Sequence, residues 1–188
     1  KSLLDITGED VKVTEISLSR AMNYRITSGN NVSTYSGEYI PSLEQVLALS
    51  KRYPNAKYYI ELKASMSEAL LTDLLKMVKK YDLTEKVRII SFKEINLTRI
   101  RRLKEYDGDT VDLGYLTYEL DQTTIDTCER LNAELGVNYN QVTKDVVRAA
   151  HEKGVRVNAW TVPNIYMAGF LIDTVKVDCI TANYKFFR

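Results

Sequence analysis

The chain lacks the motifs that would identify most soluble α/β proteins. It contains no GxGxxG and no GxxxxGKS or GxxxxGKT, so a nucleotide-binding α/β domain would be without its phosphate loop. The two cysteines, Cys128 and Cys179, form no CxxC and no Cys/His cluster, which removes the ligand spacing of a zinc site. Both read as buried thiols, with a disulfide between them left open. There is one histidine, His151, one tryptophan, Trp160, and three prolines. No sign of charge dominates: 26 basic residues meet 25 acidic ones, and a net charge of +1 argues against nucleic acid or an anionic membrane as partner. No apolar run approaches the ~20 residues that a membrane-spanning helix needs. Lys1 rather than Met begins the chain and no signal peptide is visible. The native N-terminus is therefore expected upstream, with a lost signal, and both cytoplasmic and exported locations, left open.

What is present is an ordinary globular composition in 188 residues, enough for one domain with a substantial core. Residues 1–39 are the least regular part, with Gly8, Gly29, Gly37 and the Ser28–Ser36 run marking turns and a short helix expected within Val13–Tyr24. From residue 40 to 188 the pattern changes. Ser42-Leu43-Glu44-Gln45 is a capping-box signature after Pro41, for a helix ending near Tyr53-Pro54, and Ser65-x-x-Glu68 reads as a second. Leu70, Leu71, Leu74, Leu75, Val78 and Tyr81 then repeat at helical spacing. Val87–Phe92 reads as a strand, Ile95–Leu103 as a helix ending before Asp107-Gly108, and Val111–Leu116 as a strand. A helical stripe at Ile125, Cys128 and Leu131 is followed by a short strand, Ala133–Val137. Thr143 is the expected N-cap of a helix burying Val146, Val147 and Ala150, closed by Gly154. Val155–Val162, Tyr166–Ile172 and Val177–Thr181 read as strand, helix and strand. Six strands alternating with helices over short connections imply right-handed βαβ crossovers and a parallel sheet. An open doubly wound sheet and part of an eight-stranded barrel both satisfy that rhythm.

The densest chemical signal is Tyr58-Tyr59-Ile60-Glu61-Leu62-Lys63. Its apolar body reads as a strand buried on both faces. Glu61 and Lys63, two residues apart, leave the strand on the same face. A carboxylate and an ammonium there are costly unless they pair or bind something. They fit either a structural ion pair at a strand end or a metal or phosphate site at the mouth of an α/β barrel.

A series of segments carries a family resemblance. In order they are Ile40-Pro41-Ser42-Leu43-Glu44, Ile60-Glu61-Leu62-Lys63, Ser91-Phe92 and Gly114-Tyr115-Leu116. They continue as Ala149-Ala150-His151-Glu152-Lys153-Gly154-Val155-x-Val157-x-Ala159-Trp160-Thr161-Val162 and Val177-Asp178-x-Ile180-Thr181. Together they resemble the glycerophosphodiester phosphodiesterase (GDPD) family along the whole chain. The resemblance implies a (β/α)8 barrel, here incomplete, with the six strands as its third to eighth. It implies hydrolysis of glycerophosphodiesters to glycerol 3-phosphate and an alcohol, assisted by Mg2+ or Ca2+. Glu61 matches a metal-ligating carboxylate, Lys63 the base facing the phosphoryl oxygens, and Trp160 a residue against the substrate's glycerol or phosphate, with a core aromatic as the equally open alternative for Trp160. Ser91, Phe92 and Tyr115 end strands at the same mouth and read as packing residues. Lys1–Gly8 matches the stretch just after the family's His-Asp pair. The family's His-Arg-Gly, Glu-x-Asp and His-Asp motifs therefore have no counterpart, and His151 matches a solvated helix position away from the mouth. Thr181-Ala182-Asn183 departs from the family's Thr-Asp-x-Pro. The chain by itself is thus expected to be inactive and to bind metal weakly. The open barrel edges are expected to be covered by another chain or a further segment. A non-catalytic barrel remnant that binds a ligand or a protein is the alternative.

Overall fold

The computed structural model describes residues 2–29, 31–35, 37–107 and 111–185, the side chains of 104–107 excepted. The chain forms two compact units, Lys1–Asn55 and Ala56–Arg188. In the first, short elements predominate: helices α1 (Leu4–Thr7), α2 (Leu18–Ala21) and α3 (Leu43–Ala48), with 3-10 turns at Val13–Glu15 and Leu49–Lys51. The helix expected within Val13–Tyr24 is split because Ser17 is extended and caps α2, its hydroxyl accepting from the Arg20 N–H. The Ser42/Gln45 capping box forms in both directions, as the sequence indicates. Of the Ser28–Ser36 turn run, Asn30 and Ser36 lie outside the described residues, as does Gly108 of the Asp107-Gly108 stop.

The second unit alternates strands and helices. The strands are β1 (Tyr58–Glu61), β2 (Val87–Ser91), β3 (Asp112–Thr117), β4 (Ala133–Asn138), β5 (Val157–Val162) and β6 (Cys179–Ala182). Between them lie α4 (Glu68–Lys80), α5 (Glu94–Asp107), α6 (Gln122–Leu131), α7 (Lys144–Glu152) and α8 (Ile165–Gly169), which runs into a π-helical turn, Phe170–Val175. Every strand pairs in parallel with the next in sequence, β1 to β6. The ladder curls. Tyr59 of β1 and Cys179 of β6 stand at opposite ends of the strand order, yet their side chains meet at 3.8 Å. This is an incomplete (β/α)8 barrel.

Alternation along each strand separates two faces. The outer face carries Ile89, Leu113, Leu135, Val137, Val157 and Ala159, all buried beneath the helices. Against them α4 contributes Leu71, Leu74 and Val78, and α6 contributes Ile125, Cys128 and Leu131. Each such large side chain contributes about 1.5–3 kcal/mol by leaving water. On the inner face, two glycines stand beside bulky neighbours in the adjacent strand. A Cβ on Gly114 would lie 2.8 Å from Ile90 Cγ2, and one on Gly136 would lie 2.5 Å from Leu116 Cδ2.

Three local expectations change. The cap of α4 is Ser67, not Ser65, because Asn96 takes the Met66 N–H and Ser67 accepts from Leu70. β1 is not buried on both faces: it pairs with β2 alone among the described strands, and Tyr59 is 41% exposed. Both thiols are free, but only Cys128 is fully buried, with burial pushing it up to about 12; Cys179 is half-buried.

A polar network fills the inner face near the N-terminal ends of the strands. Arg88 forms an ion pair with Glu134 and a second with Asp112 at 2.9 Å, and donates to the Tyr59 hydroxyl at 2.9 Å. Glu134 also accepts from Tyr59 and from Asn158, each at 3.3 Å. Asn158 in turn accepts from Thr181 at 3.1 Å. The Glu134 side chain is 3% exposed and that of Arg88 12%. Burial, and then the Glu134 charge, push the Tyr59 phenol up. Removing one partner of such a pair strands a buried charge. Glu134→Leu is therefore expected to cost about 3 kcal/mol or more in urea unfolding, with Arg88→Met added to it restoring a large share. A neutral single variant, or a double variant no better than the single, would contradict this role.

Candidate functional site

The sequence of β1 puts its charged residues at the C-terminal end, and the segment after it is clamped. Leu62 extends the ladder by donating to the Ile90 carbonyl at 2.9 Å. The Leu62 carbonyl accepts from the Ser91 hydroxyl at 2.8 Å. Asn96, fully buried in α5, donates to the Ala64 carbonyl and accepts from the Met66 N–H, both at 2.8 Å. Arg99 holds the Met66 carbonyl at 2.5 Å. Within this frame Glu61 and Lys63 form an ion pair, their side chains 28% and 54% exposed. Spacing in the sequence brings these two together as expected. Lys63 itself lies past the last ladder bond.

Trp160, on the inner face of β5, joins two rings from other strand ends. Its ring centroid is 5.5 Å from Phe92, just past β2, at 85°, and 5.3 Å from Tyr118, just past β3, at 84°. Phe92 and Tyr118 stack at 4.7 Å. Edge-to-face and stacked pairs of this kind add about 0.5–1.5 kcal/mol each beyond burial. The Trp160 indole N–H is buried without a partner, a donor left free beside the rings. Aromatic cluster and ion pair occupy the same end of the sheet, where the βα loops of such a fold gather reacting groups.

Ser91 and Tyr115 do not belong to this group. Alternation turns them to the outer face, where Ser91 is buried and bonded to Leu62 and Asn96, and Tyr115 packs on the core. Tyr118 and Asn96 escaped the sequence reading. A tyrosine just past a strand was a weak signal; a buried asparagine that organises a loop 30 residues away gave none.

His151 sits in the last turn of α7, at the opposite end of the sheet from Glu61. It is half-exposed and its Nε2 meets Asp178 Oδ2 at 2.8 Å. That oxygen also accepts the Val157 N–H at 2.8 Å, so the histidine ties α7 to the start of β5 and the residue before β6. It is placed away from the mouth, but bonded rather than merely solvated.

Among the described residues no group of three His, Cys, Asp or Glu side chains stands together to hold a metal. Mg2+ and Ca2+ take six or more oxygens. Glu61 offers two at most and is paired with Lys63. The residues present therefore do not fit a divalent cation by themselves.

The model of the glycerophosphoryl diester phosphodiesterase family matches residues 1–184. Solved structures share the fold. A provisionally assigned glycerophosphoryl diester phosphodiesterase from Silicibacter pomeroyi superposes with a TM-score of 0.78 at 19% identity, over 95% of this chain and 68% of its own. A glycerophosphodiester phosphodiesterase from Parabacteroides distasonis gives 0.73 at 24% identity, over 96% and 71%. An Oleispira antarctica phosphodiesterase, solved with the product sn-glycerol-3-phosphate, gives 0.73 at 17%, over 96% and 73%. No curated protein matches the sequence.

Asp178 yields a pH dependence. Burial alone would raise its carboxyl, but the Val157 N–H, His151 and Arg156 together hold it below the usual carboxylate range. A carboxyl depressed by folding contributes stability that is present above its unfolded value, about 4, and is lost as pH falls through the folded value. Asp178→Asn is expected to flatten the fall in urea stability below about pH 4. An unchanged acid slope would contradict the bonding described.

Proposed function

The chain belongs to the glycerophosphoryl diester phosphodiesterase family, and on that premise we propose that it carries the phosphate-facing part of a glycerophosphodiester phosphodiesterase. The reaction is hydrolysis of a glycerophosphodiester to glycerol 3-phosphate and an alcohol. The observation that supports it most is the Glu61–Lys63 pair at the C-terminal end of β1, where the family pattern has a metal carboxylate and a base facing phosphate.

The pair has a physical logic. With no substrate each charge neutralises the other. An arriving diester competes for Lys63, whose ammonium turns to a non-bridging oxygen and stabilises the charge that grows there. Glu61 would be one oxygen ligand of a divalent cation, which would polarise the phosphoryl oxygens, and the other ligands would have to come from outside the described residues. Trp160, backed by Phe92 and Tyr118, forms an apolar wall and offers its free indole N–H to the glycerol or the phosphate. Proton transfer to the leaving alkoxide needs a group within hydrogen-bond reach, and His151 stands at the other end of the sheet. On this reading the chain by itself is inactive, and the reaction would draw two further carboxylates and the acid–base histidines from outside the described residues.

A second reading rests on the sheet edges. β1 and β6 each have one ladder partner among the described strands, which leaves backbone donors and acceptors to be covered. A partner chain or a further segment of the same chain would supply the covering strands. If it brings no histidines, the barrel is a non-catalytic module that binds a small glycerophosphodiester or a protein. No described helix is long and apolar enough to cross a membrane, and the balanced charge does not suggest a nucleic acid.

The test is glycerol 3-phosphate release with Mg2+ or Ca2+. The 188-residue chain should show none, and calorimetry should show weak metal binding. In any chain that also supplies the remaining carboxylates and histidines, Glu61→Gln should lower turnover by about a hundredfold or more with the fold retained, since a charged ligand to a hard cation is lost. Metal-dependent turnover by the 188 residues alone, or near-native activity of Glu61→Gln, would overturn the assignment.

A further inference from the structure

Away from the barrel mouth, α7 and the segment following α8 enclose an open groove of about 530 Å³ on the helical layer. Lys144, Arg148 and His151 follow one another on α7 at i, i+4 and i+7, so they share one side of the helix and line the groove together. Thr174 and Lys176 face them from the end of the π-helical turn. The floor is apolar, made by the buried Val147 and Val175. Three cations and one carboxylate, Glu152, leave the lining at +2 with His151 neutral.

Two carboxylates outside the lining, Asp145 and Asp178, are each bonded to a groove residue. Lys144 and Lys176 make no ion pair among the described residues. Arg148 meets Asp145 at 2.7 Å, but both side chains are exposed, at 67% and 80%, where such a pair is weak and easily exchanged. Asp178, outside the lining, is engaged by His151, by the Val157 N–H and by Arg156 at 3.8 Å. The His151 ring is thereby anchored through Nε2, and its Nδ1 edge is not used in any described bond.

We propose that this groove binds a soluble phosphate monoester, at a site separate from the barrel mouth and not dependent on the catalytic reading. A phosphate dianion matches the +2 lining, whereas a carboxylate would leave half of it uncompensated. The Arg148 fork and the two exposed ammoniums of Lys144 and Lys176 suit a tetrahedral group with several acceptor oxygens. The apolar floor accommodates the organic half of an ester, which a bare ion would leave uncovered. The volume is in the range of small-molecule sites, about 300–1,000 Å³.

His151 is the only histidine, so its imidazole resonances report on the groove without ambiguity. Titration of the full chain with sn-glycerol 3-phosphate, followed by 1H–15N imidazole spectra, should give a saturable shift. Inorganic phosphate should bind more weakly, and glycerol, or sodium chloride at matched ionic strength, should give no saturable shift. Lys144→Gln and Lys176→Gln should each weaken binding about two- to fivefold, the range for exposed charge pairs, with unchanged thermal unfolding. Lys63→Met, at the barrel mouth, should leave the titration as it is. The proposal is overturned if the shift does not saturate or sodium chloride reproduces it. It is equally overturned if neither lysine variant binds more weakly, or if Lys63→Met abolishes the response.

Discussion

The barrel arc depends on one buried carboxylate. Glu134 in β4 accepts from Arg88 of β2, Tyr59 of β1 and Asn158 of β5, and Asn158 accepts from Thr181 of β6. Arg88 completes the set by holding Asp112 of β3. Residues from all six strands thus converge on one point, which a flat sheet could not allow. Burying such charges is costly unless they are paired, and here Glu134 and the two terminal nitrogens of Arg88 reach their partners across the curled sheet, while the Arg88 Nε stays buried without one. The outer face supplies the greater part of the burial energy, while the inner network selects the curvature.

Curvature then determines where the upper layers can go. Above the network, Ile90 fits beside Gly114 and Leu116 beside Gly136, an alternation of large and absent side chains that fills a narrow interior. Above that layer lie the strand ends with Glu61, Lys63, Phe92, Tyr118 and Trp160. The clamp on residues 62–66 by Ser91, Asn96 and Arg99 makes the exit from β1 a fixed point rather than a free loop. A charged pair held on such a frame needs little reorganisation, which is what the proposed electrostatic stabilisation of a phosphate requires.

The order of strands and helices was legible because each outer face follows a simple period. Leu71, Leu74 and Val78 repeat as a helix stripe, and Ile89, Leu113 and Leu135 stand in β-rich runs. The Glu61–Lys63 pairing was legible from i, i+2 spacing alone. Features built from distant residues were not. The Ser67 cap of α4 displaced Ser65 only because Asn96, 30 residues on, claims the intervening N–H. Tyr59 is exposed because β1 stands at the end of the described strand order, which its own apolar run does not reveal. The aromatic cluster combines three strand ends whose proximity no local pattern encodes. Glu134 did leave a signal: an acid inside the apolar run Ala133–Val137 requires a buried partner, and Arg88 in the Val87–Phe92 run was its natural complement.

The central proposal, that Glu61 and Lys63 act as one unit on phosphate, is tested most directly by a double-mutant cycle on diester hydrolysis by a chain that also supplies the remaining carboxylates and histidines. Groups that work together are non-additive when removed. Glu61→Gln and Lys63→Met should each lower kcat by about 10²–10³, the scale for losing one preorganised charge, and the double variant should fall little further than the worse single. Independent, additive losses, or a Lys63→Met enzyme with native kcat, would contradict the account.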